Sequence, residues 1–428
     1  MEMSLKITPG SLSGTINIPP SKSHTMRALL FGSLGKGTTV IEGALKSPDT
    51  YSMMKALTLF GAKIKLNDTE MCIEGLDGKL KPCDHCIDAG NSGQVFRFVG
   101  CLSALSSNYT LLTGDHSILY RRPMSAMLSA LIQLGAFAIS AHGDGRAPIL
   151  VRGPLKAGNV KLNGEDSQPV SGLLMATSFL EGHTKIEVSN PGEKPWIDMT
   201  LFWLNKMGAG ISHENYHTYH VPGSLSYEGF NWKIPGDWSS AAFPLVAALV
   251  THSTLTLSNV DREDVQGDKK IVSVLEQMGA RFFKNPNGLT IYPAKTLRGI
   301  TIDANDFIDA VPILAVLACF AEEATTITNV AIARQKESDR LTAISTELRK
   351  MGAQIEESED RLTIIPSPLR GAILNTHQDH RIAMALAVAA LGAQGISTLQ
   401  NTSCIDKSYP GFATSFQNLG ALICEVPC

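Results

Sequence analysis

The chain has 428 residues, 44% of them hydrophobic and 18% charged, with a net charge of −3. This is the composition of a soluble globular protein of about two domains. No run of ~20 uninterrupted apolar residues offers a membrane span, and no Lys/Arg run offers a nucleic-acid surface.

The amino-terminal MEMSLKITPG lacks the apolar core of a signal peptide, which predicts a cytoplasmic protein. Its eight cysteines are then expected to be reduced. LKITPG reads as a strand, and PPSKSHTMRALLF (residues 19–31) as a helix entering a core. That helix opens on Lys22, Ser23 and Arg27. Ser21 or Ser23 fits an N-cap, and free N–H groups with two cations also fit an anion site. CDHC (Cys83–Cys86) has the spacing of half a zinc site, but no second Cys or His pair lies nearby, so no metal is expected. HENYHTYH reads as one polar strand, with His220 pointing away from His213 and His217.

A landmark recurs along the chain: LFGA, QLGA, KMGA, QMGA, KMGA and NLGA end at Ala62, Ala136, Ala209, Ala280, Ala353 and Ala421, about seventy residues apart. Each copy follows an amphipathic helix, and its glycine suits a helix C-terminus. A strand pair follows, as in RFFKNPNGLTIYP, with Asn287-Gly288 at its turn. In step with this repeat, apolar helices begin near Lys22, Ser92, Ser167, Ser239, Asp309 and His380. VPILAVLACF and RIAMALAVAAL are apolar on nearly every face and belong inside a domain. The pattern predicts an α/β fold of six units, three per domain. One domain is residues 1–18 with 236–428, the other is the inserted 19–235, and the linkers lie at 18–21 and 233–237. The first strand is expected to complete the last unit.

All six helix openings are polar: SKSHTMR, GNSGQVFR, EDSQPVS, GDWSSAA, FIDAVP and DHRIAM. Parallel helices in two facing domains would aim six positive ends at one cleft. Arg97, Arg121, Arg122, Arg334, Lys336, Arg340, Arg381 and Lys407 lie at the unit junctions, with Pro123 read as a helix start. Arg forks and Lys point charges suit phosphates and carboxylates.

The motifs SKS…R, GNSG…R, RRPM, DSQ, KESDRL, DHRIAMA and DKSYPGF, in that order over nearly the full length, resemble the 5-enolpyruvylshikimate-3-phosphate synthase family of enolpyruvyl transferases. The resemblance implies a two-domain inside-out α/β barrel with the active site in the cleft. The implied reaction is attack of the 5-hydroxyl of shikimate 3-phosphate on C2 of phosphoenolpyruvate, protonation of C3, and loss of phosphate. It implies no metal or organic cofactor, no nucleic-acid or membrane partner, and a monomer. By position, Lys22, Ser23, Arg27, Ser167, Gln168, Asp309 and Lys336 would hold shikimate 3-phosphate. Lys22, Gly93, Arg122, Gln168, Arg340, Arg381 and Lys407 would surround phosphoenolpyruvate. Lys22, Asp309 and Glu337 would be catalytic, Asp309 accepting the hydroxyl proton and Glu337 donating to the methylene carbon.

The chain departs from the family pattern in places. Asp166 stands for a serine beside Ser167, Glu193 for a Ser or Thr at the substrate phosphate, and Ile332 for an Asn. Lys194 and Lys336 are the cations that could compensate the two carboxylates. Gln94 stands for Thr and Phe98 for Pro near Gly93, where the family's inhibitor glyphosate competes with phosphoenolpyruvate, so reduced glyphosate sensitivity is expected. Two rival readings are a catalytically weak paralogue that binds a phosphosugar-like ligand and the UDP-N-acetylglucosamine enolpyruvyl transferase family. The latter resembles Lys-Asn at the first helix and carries a loop cysteine where this chain has Ser23 and Ser117.

Overall fold

Six helices enclosed by the rest of the chain organise the protein. The computed structural model describes residues 3–285 and 288–427. The enclosed helices are Lys22–Leu34, Gly93–Ser103, Ser167–Thr177, Trp238–Val250, Val311–Cys319 and His380–Gly392. All residues of Trp238–Val250 and Val311–Cys319 are buried. Apolar side chains on every face leave such a helix no solvated side, and each fully buried Leu, Val or Ile contributes about 1.5–3 kcal/mol. The fifth helix starts later than expected. A 3-10 segment, Asn305–Ala310, precedes it and carries Asp309.

Four of the six, Gly93–Ser103, Ser167–Thr177, Val311–Cys319 and His380–Gly392, each bridge two strands that pair parallel in one sheet and need such a crossover. Lys22–Leu34 and Trp238–Val250 join strands of different sheets. An antiparallel strand pair completes each four-stranded sheet. There are six such sheets among the described residues. In one, Asn159–Asn163 pairs parallel with Thr184–Ser189, and the hairpin Ser212–Glu214/Thr218–Val221 follows. HENYHTYH is thus a hairpin, not one strand. Asn215 and Tyr216 turn it with φ of 46° and 64°, and the Nε2 atom of His220 lies 3.6 Å from Glu214. At the 281–292 hairpin, Asn287 of the expected turn lies outside the described residues.

The chain divides into two units, residues 1–20 with 235–428 and residues 21–234. Two strands are exchanged along the sequence. Asn231–Lys233 pairs parallel with Thr38–Glu42, and Ser13–Asn17 with Thr254–Ser258. Met3–Thr8 lies between Ser397–Gln400 and Leu422–Pro427 in the last sheet, so the first strand completes the final unit.

The six landmark glycines, Gly61, Gly135, Gly208, Gly279, Gly352 and Gly420, all have φ between 86° and 110°. In every copy the following alanine amide donates to the carbonyl five residues back, at 2.8–3.1 Å. This is the 6→1 bond of a Schellman cap, and it needs a left-handed residue that glycine adopts without strain. No helix among the described residues is long and apolar enough to cross a membrane.

Candidate active site

In the 21–234 unit, Ser21 caps the Lys22 helix, its hydroxyl accepting from the His24 amide at 3.4 Å. Lys22, in the first turn, has its ammonium 3.4 Å from Asp49. One turn on, Arg27 is buried. Its Nε and Nη2 donate to Thr200 Oγ1 at 3.1 and 2.8 Å, Nη2 also to the Trp196 carbonyl, and Nη1 to the Ser23 carbonyl. The Phe98 ring lies 5.2 Å from the guanidinium. Burial pulls the Arg27 pKa down to about 9. A buried cation held by dipoles alone is better stabilised once an anion arrives.

Ser92 caps the Gly93 helix. A Cβ on Gly93 would sit 2.2 Å from Arg122 Nη1, 2.8 Å from Arg97 Nη1 and 2.9 Å from Gln168 Oε1. Gly93, Arg122 and Gln168 therefore meet, and Arg97 joins them. Arg121 is exposed, and the helix after Pro123 begins at Ser125, two residues later than expected.

Three of the departures from the family pattern, Gln94, Asp166 and Glu193, bond to neighbouring candidate residues. Gln94 donates to Ser23 Oγ at 3.0 Å. Asp166 caps the Ser167 helix through the Gln168 amide and pairs with Arg97 Nη2 at 2.8 Å. Glu193 Oε2 accepts both the amide and the hydroxyl of Ser167 at 3.2 Å. Lys194 turns elsewhere, its ammonium 5.6 Å from the Tyr216 ring centroid.

In the other unit the charged residues form one network. Arg340, the first residue of the helix Arg340–Lys350, is buried among three carboxylates. Nη1 donates to Asp309 Oδ1 at 2.7 Å, Nη2 to Glu337 Oε2 at 2.9 Å, and Nε to Asp379 Oδ2 at 2.8 Å. The other Glu337 oxygen accepts from Lys407 Nζ at 2.5 Å. The other Asp309 oxygen accepts from Arg381 Nη2 at 3.3 Å. Burial by itself would raise the Asp309 pKa, but Arg381, Arg340 and Lys336 overcome it and hold the carboxyl below the usual range. Asp379 also accepts from Ser338 Oγ and caps the His380 helix through the Arg381 amide.

Arg334 does not join this group; it bonds Asp339, Glu357 and the Ser358 and Glu359 carbonyls. Ile332 is a core residue and offers no polar contact.

Sequence reasoning assigned no role to Asp379, Thr200 or Asp268. Asp379 is the first residue of the polar opening DHRIAM and so carries the signal of an N-cap. Thr200 and Asp268 carry no local signal. His377 and Gln378, just before Asp379, have φ of 52° and 54°, a conformation that strains non-glycine residues. Buried Glu347 pins this turn, one oxygen on His377 Nε2 and the other on the Asn375 amide, each at 2.9 Å.

Asp268 is fully buried. It accepts from Ser239 Oγ at 2.6 Å, while its Oδ1 has no hydrogen-bond partner among the described residues. Burial first and the Asp309 charge second push its pKa up to about 8, against the pull of Ser239 and Arg381. A carboxyl with a raised folded pKa contributes stability fully below its unfolded pKa of ~3.9, and that contribution is lost as pH rises through the folded value. Asp268→Asn should therefore gain thermal stability relative to the native chain between pH 5 and pH 9. An equal difference in Tm at both pH values would mean that folded Asp268 carries no extra proton.

Among the described residues no cluster of three or more His, Cys, Asp or Glu could hold a metal ion. Compared with known proteins, residues 7–416 match the family model for EPSP synthase (3-phosphoshikimate 1-carboxyvinyltransferase). A 3-phosphoshikimate 1-carboxyvinyltransferase of Chlamydia caviae is 43% identical over 99% of this chain and 95% of its own length. One of Ruminiclostridium cellulolyticum is 38% identical over 98% and 99%. A solved EPSP synthase from Acinetobacter baumannii superposes with a TM-score of 0.84 at 28% identity, covering 99% of this chain and all of the other.

Proposed function

The chain belongs to the EPSP synthase (3-phosphoshikimate 1-carboxyvinyltransferase) family, and from that premise we infer that it transfers the enolpyruvyl group of phosphoenolpyruvate to the 5-hydroxyl of shikimate 3-phosphate, releasing phosphate. The observation that carries this reading is Arg340 holding Asp309 and Glu337 together, with Lys407 on the second Glu337 oxygen and Arg381 on the second Asp309 oxygen.

In this reading the 5-hydroxyl oxygen bonds to C2 of phosphoenolpyruvate. Its proton goes to Asp309, and C3 takes a proton from Glu337. The tetrahedral intermediate then breaks its C2–O bond to phosphate and gives back a proton from C3. A carboxylate held below the usual range is a weak base, because proton transfer follows basicity. Anionic substrates docking on Arg381, Arg340 and Lys336 would draw those cations from Asp309 and raise its pKa when the base is needed. Glu337 must be protonated in competition with Lys407 and Arg340, so it would carry its proton only transiently.

Lys22, Ser23, Arg27, Ser167, Gln168, Asp309 and Lys336 bind shikimate 3-phosphate on this reading. Lys22, Gly93, Arg122, Gln168, Arg340, Arg381 and Lys407 bind phosphoenolpyruvate. The working form is a cytoplasmic monomer. Phosphate release from phosphoenolpyruvate with shikimate 3-phosphate, against UDP-N-acetylglucosamine, tests the activity. Release with the second acceptor alone, or with neither, would overturn it.

Gly93→Ala should raise the KM for phosphoenolpyruvate by about tenfold or more with little loss of stability. The new methyl would displace the far end of Arg122 rather than backbone, and that guanidinium is the one assigned to the substrate. Glyphosate, the longer anion, should lose more affinity than phosphoenolpyruvate. Steady-state KM and inhibition constants check this; an unchanged KM would mean that Arg122 does not hold phosphoenolpyruvate beside Gly93. Phe98 does not provide the atoms nearest the open side of Gly93. Gln94 donates to Ser23 and Phe98 lies against the Arg27 guanidinium, which gives each a route to the site through a candidate binding residue.

A further inference from the structure

The first turn of the Ser167 helix should be open to an incoming anion if Ser167 binds substrate. It is already engaged. Asp166 takes the Gln168 amide at 3.0 Å. A single oxygen of Glu193 takes both donors of Ser167, the amide and the hydroxyl, at 3.2 Å each.

Several features show that Glu193 is built into this position. The residue is 2% exposed. Its backbone is left-handed, with φ 46° and ψ 40°, a region that side chains other than glycine occupy under strain. It stands at the N-cap of the helix Lys194–Lys206, yet its side chain makes no capping bond to that helix and instead serves the neighbouring one. Gly192 before it approaches the Glu165 carbonyl so closely that a Cβ there would lie 2.7 Å from the oxygen, which fixes where the chain enters. The Gly192 amide donates to the Gly164 carbonyl at 3.0 Å. Strained backbone persists where surrounding contacts over-determine it, and such sites tend to be functional.

We propose that Glu193 is a built-in carboxylate that occupies the anion position at Ser167, so that shikimate 3-phosphate binds by displacing it and Glu193 sets the affinity of this enzyme for the substrate phosphate. The proposal rests on the functional reading given above. Its physical core is a count of donors. The Ser167 amide and hydroxyl each carry one proton, and neither can serve a carboxylate and a phosphate oxygen with good geometry at once. The phosphate must therefore expel the carboxylate or forgo both bonds. Ser23 differs: its hydroxyl accepts from Gln94 Nε2 at 3.0 Å, a bond that does not use the hydroxyl's own proton.

The test compares binding of shikimate 3-phosphate and unphosphorylated shikimate to the native chain, Glu193→Ser and Glu193→Gln by titration calorimetry, alongside steady-state turnover. Glu193→Gln keeps the shape and removes the charge, so it stays informative if the serine variant folds poorly. Shikimate 3-phosphate should bind both variants about tenfold or more tightly, with a lower KM and a kcat changed less than about threefold. Affinity for shikimate, which has no phosphate to compete, should not change. If the native chain turns over shikimate 3-phosphate and neither variant binds it more tightly, the proposal falls and the functional reading stands. Equal tightening for both ligands would also overturn it, because the effect would not be on the phosphate. If neither the native chain nor the variants turn over shikimate 3-phosphate, the functional reading itself fails.

Discussion

Asp309→Asn should lower turnover by about 10²–10⁴-fold, the usual contribution of a general acid–base group, while substrate affinities change far less. The amide matches the carboxylate in shape and can still accept from Arg340 Nη1, which donates to Asp309 at 2.7 Å. It cannot take the hydroxyl proton. Arg340 keeps its bonds to Glu337 and Asp379, so the fold of this unit should survive. Separate determination of kcat and KM by phosphate release is the measurement. A fall in affinity with near-native kcat would assign Asp309 to charge balance alone and move the base elsewhere.

Asp379→Ala should be the most destabilising single change in the network, by about 3–5 kcal/mol, the penalty for removing one partner of a buried ion pair. Asp379 has no exposed surface. It receives Arg340 Nε, Ser338 Oγ and the Arg381 amide. Its loss would leave a buried guanidinium short of a counter-charge, a serine hydroxyl without its acceptor and the His380 helix without its cap. Urea unfolding of the variant against the native chain checks the magnitude. A loss below about 1 kcal/mol would mean that water or a moved side chain replaces the carboxylate. The strained His377–Gln378 turn gives such a movement little room, since Glu347 ties it through the Asn375 amide and the His377 ring.

The sequence by itself determined what depends on neighbours a few residues away. The six glycine-alanine landmarks mark helix ends because a Schellman cap closes within six residues and requires positive φ at one of them. The apolar runs mark buried helices because no face is left for water. Polar openings such as GNSG, EDSQ and DHR mark helix starts because an N-cap side chain reaches only two or three residues ahead. These local signals, repeated six times, were enough to read the unit and its count, and the ordered motifs were enough to read the family. One local signal was misread: HENYHTYH contains its own turn at Asn215–Tyr216, where its Tyr and Thr content suggested a single strand.

Tertiary structure decided the partners of each charge. Arg27 meets Thr200, Arg340 meets Asp379, and Ser239 meets Asp268 only because helices and turns far apart in the chain pack side by side. The strand Asn231–Lys233 likewise finds Thr38–Glu42 across most of its unit. Glu193 shows the difference most plainly. Its sequence position marks a carboxylate beside an expected phosphate, which reads as repulsion. The folded chain turns that carboxylate onto the two donors of Ser167, which makes it an occupant of the position. Long-range pairing depends on where the backbone carries each side chain, and no pattern of neighbouring residues encodes that direction.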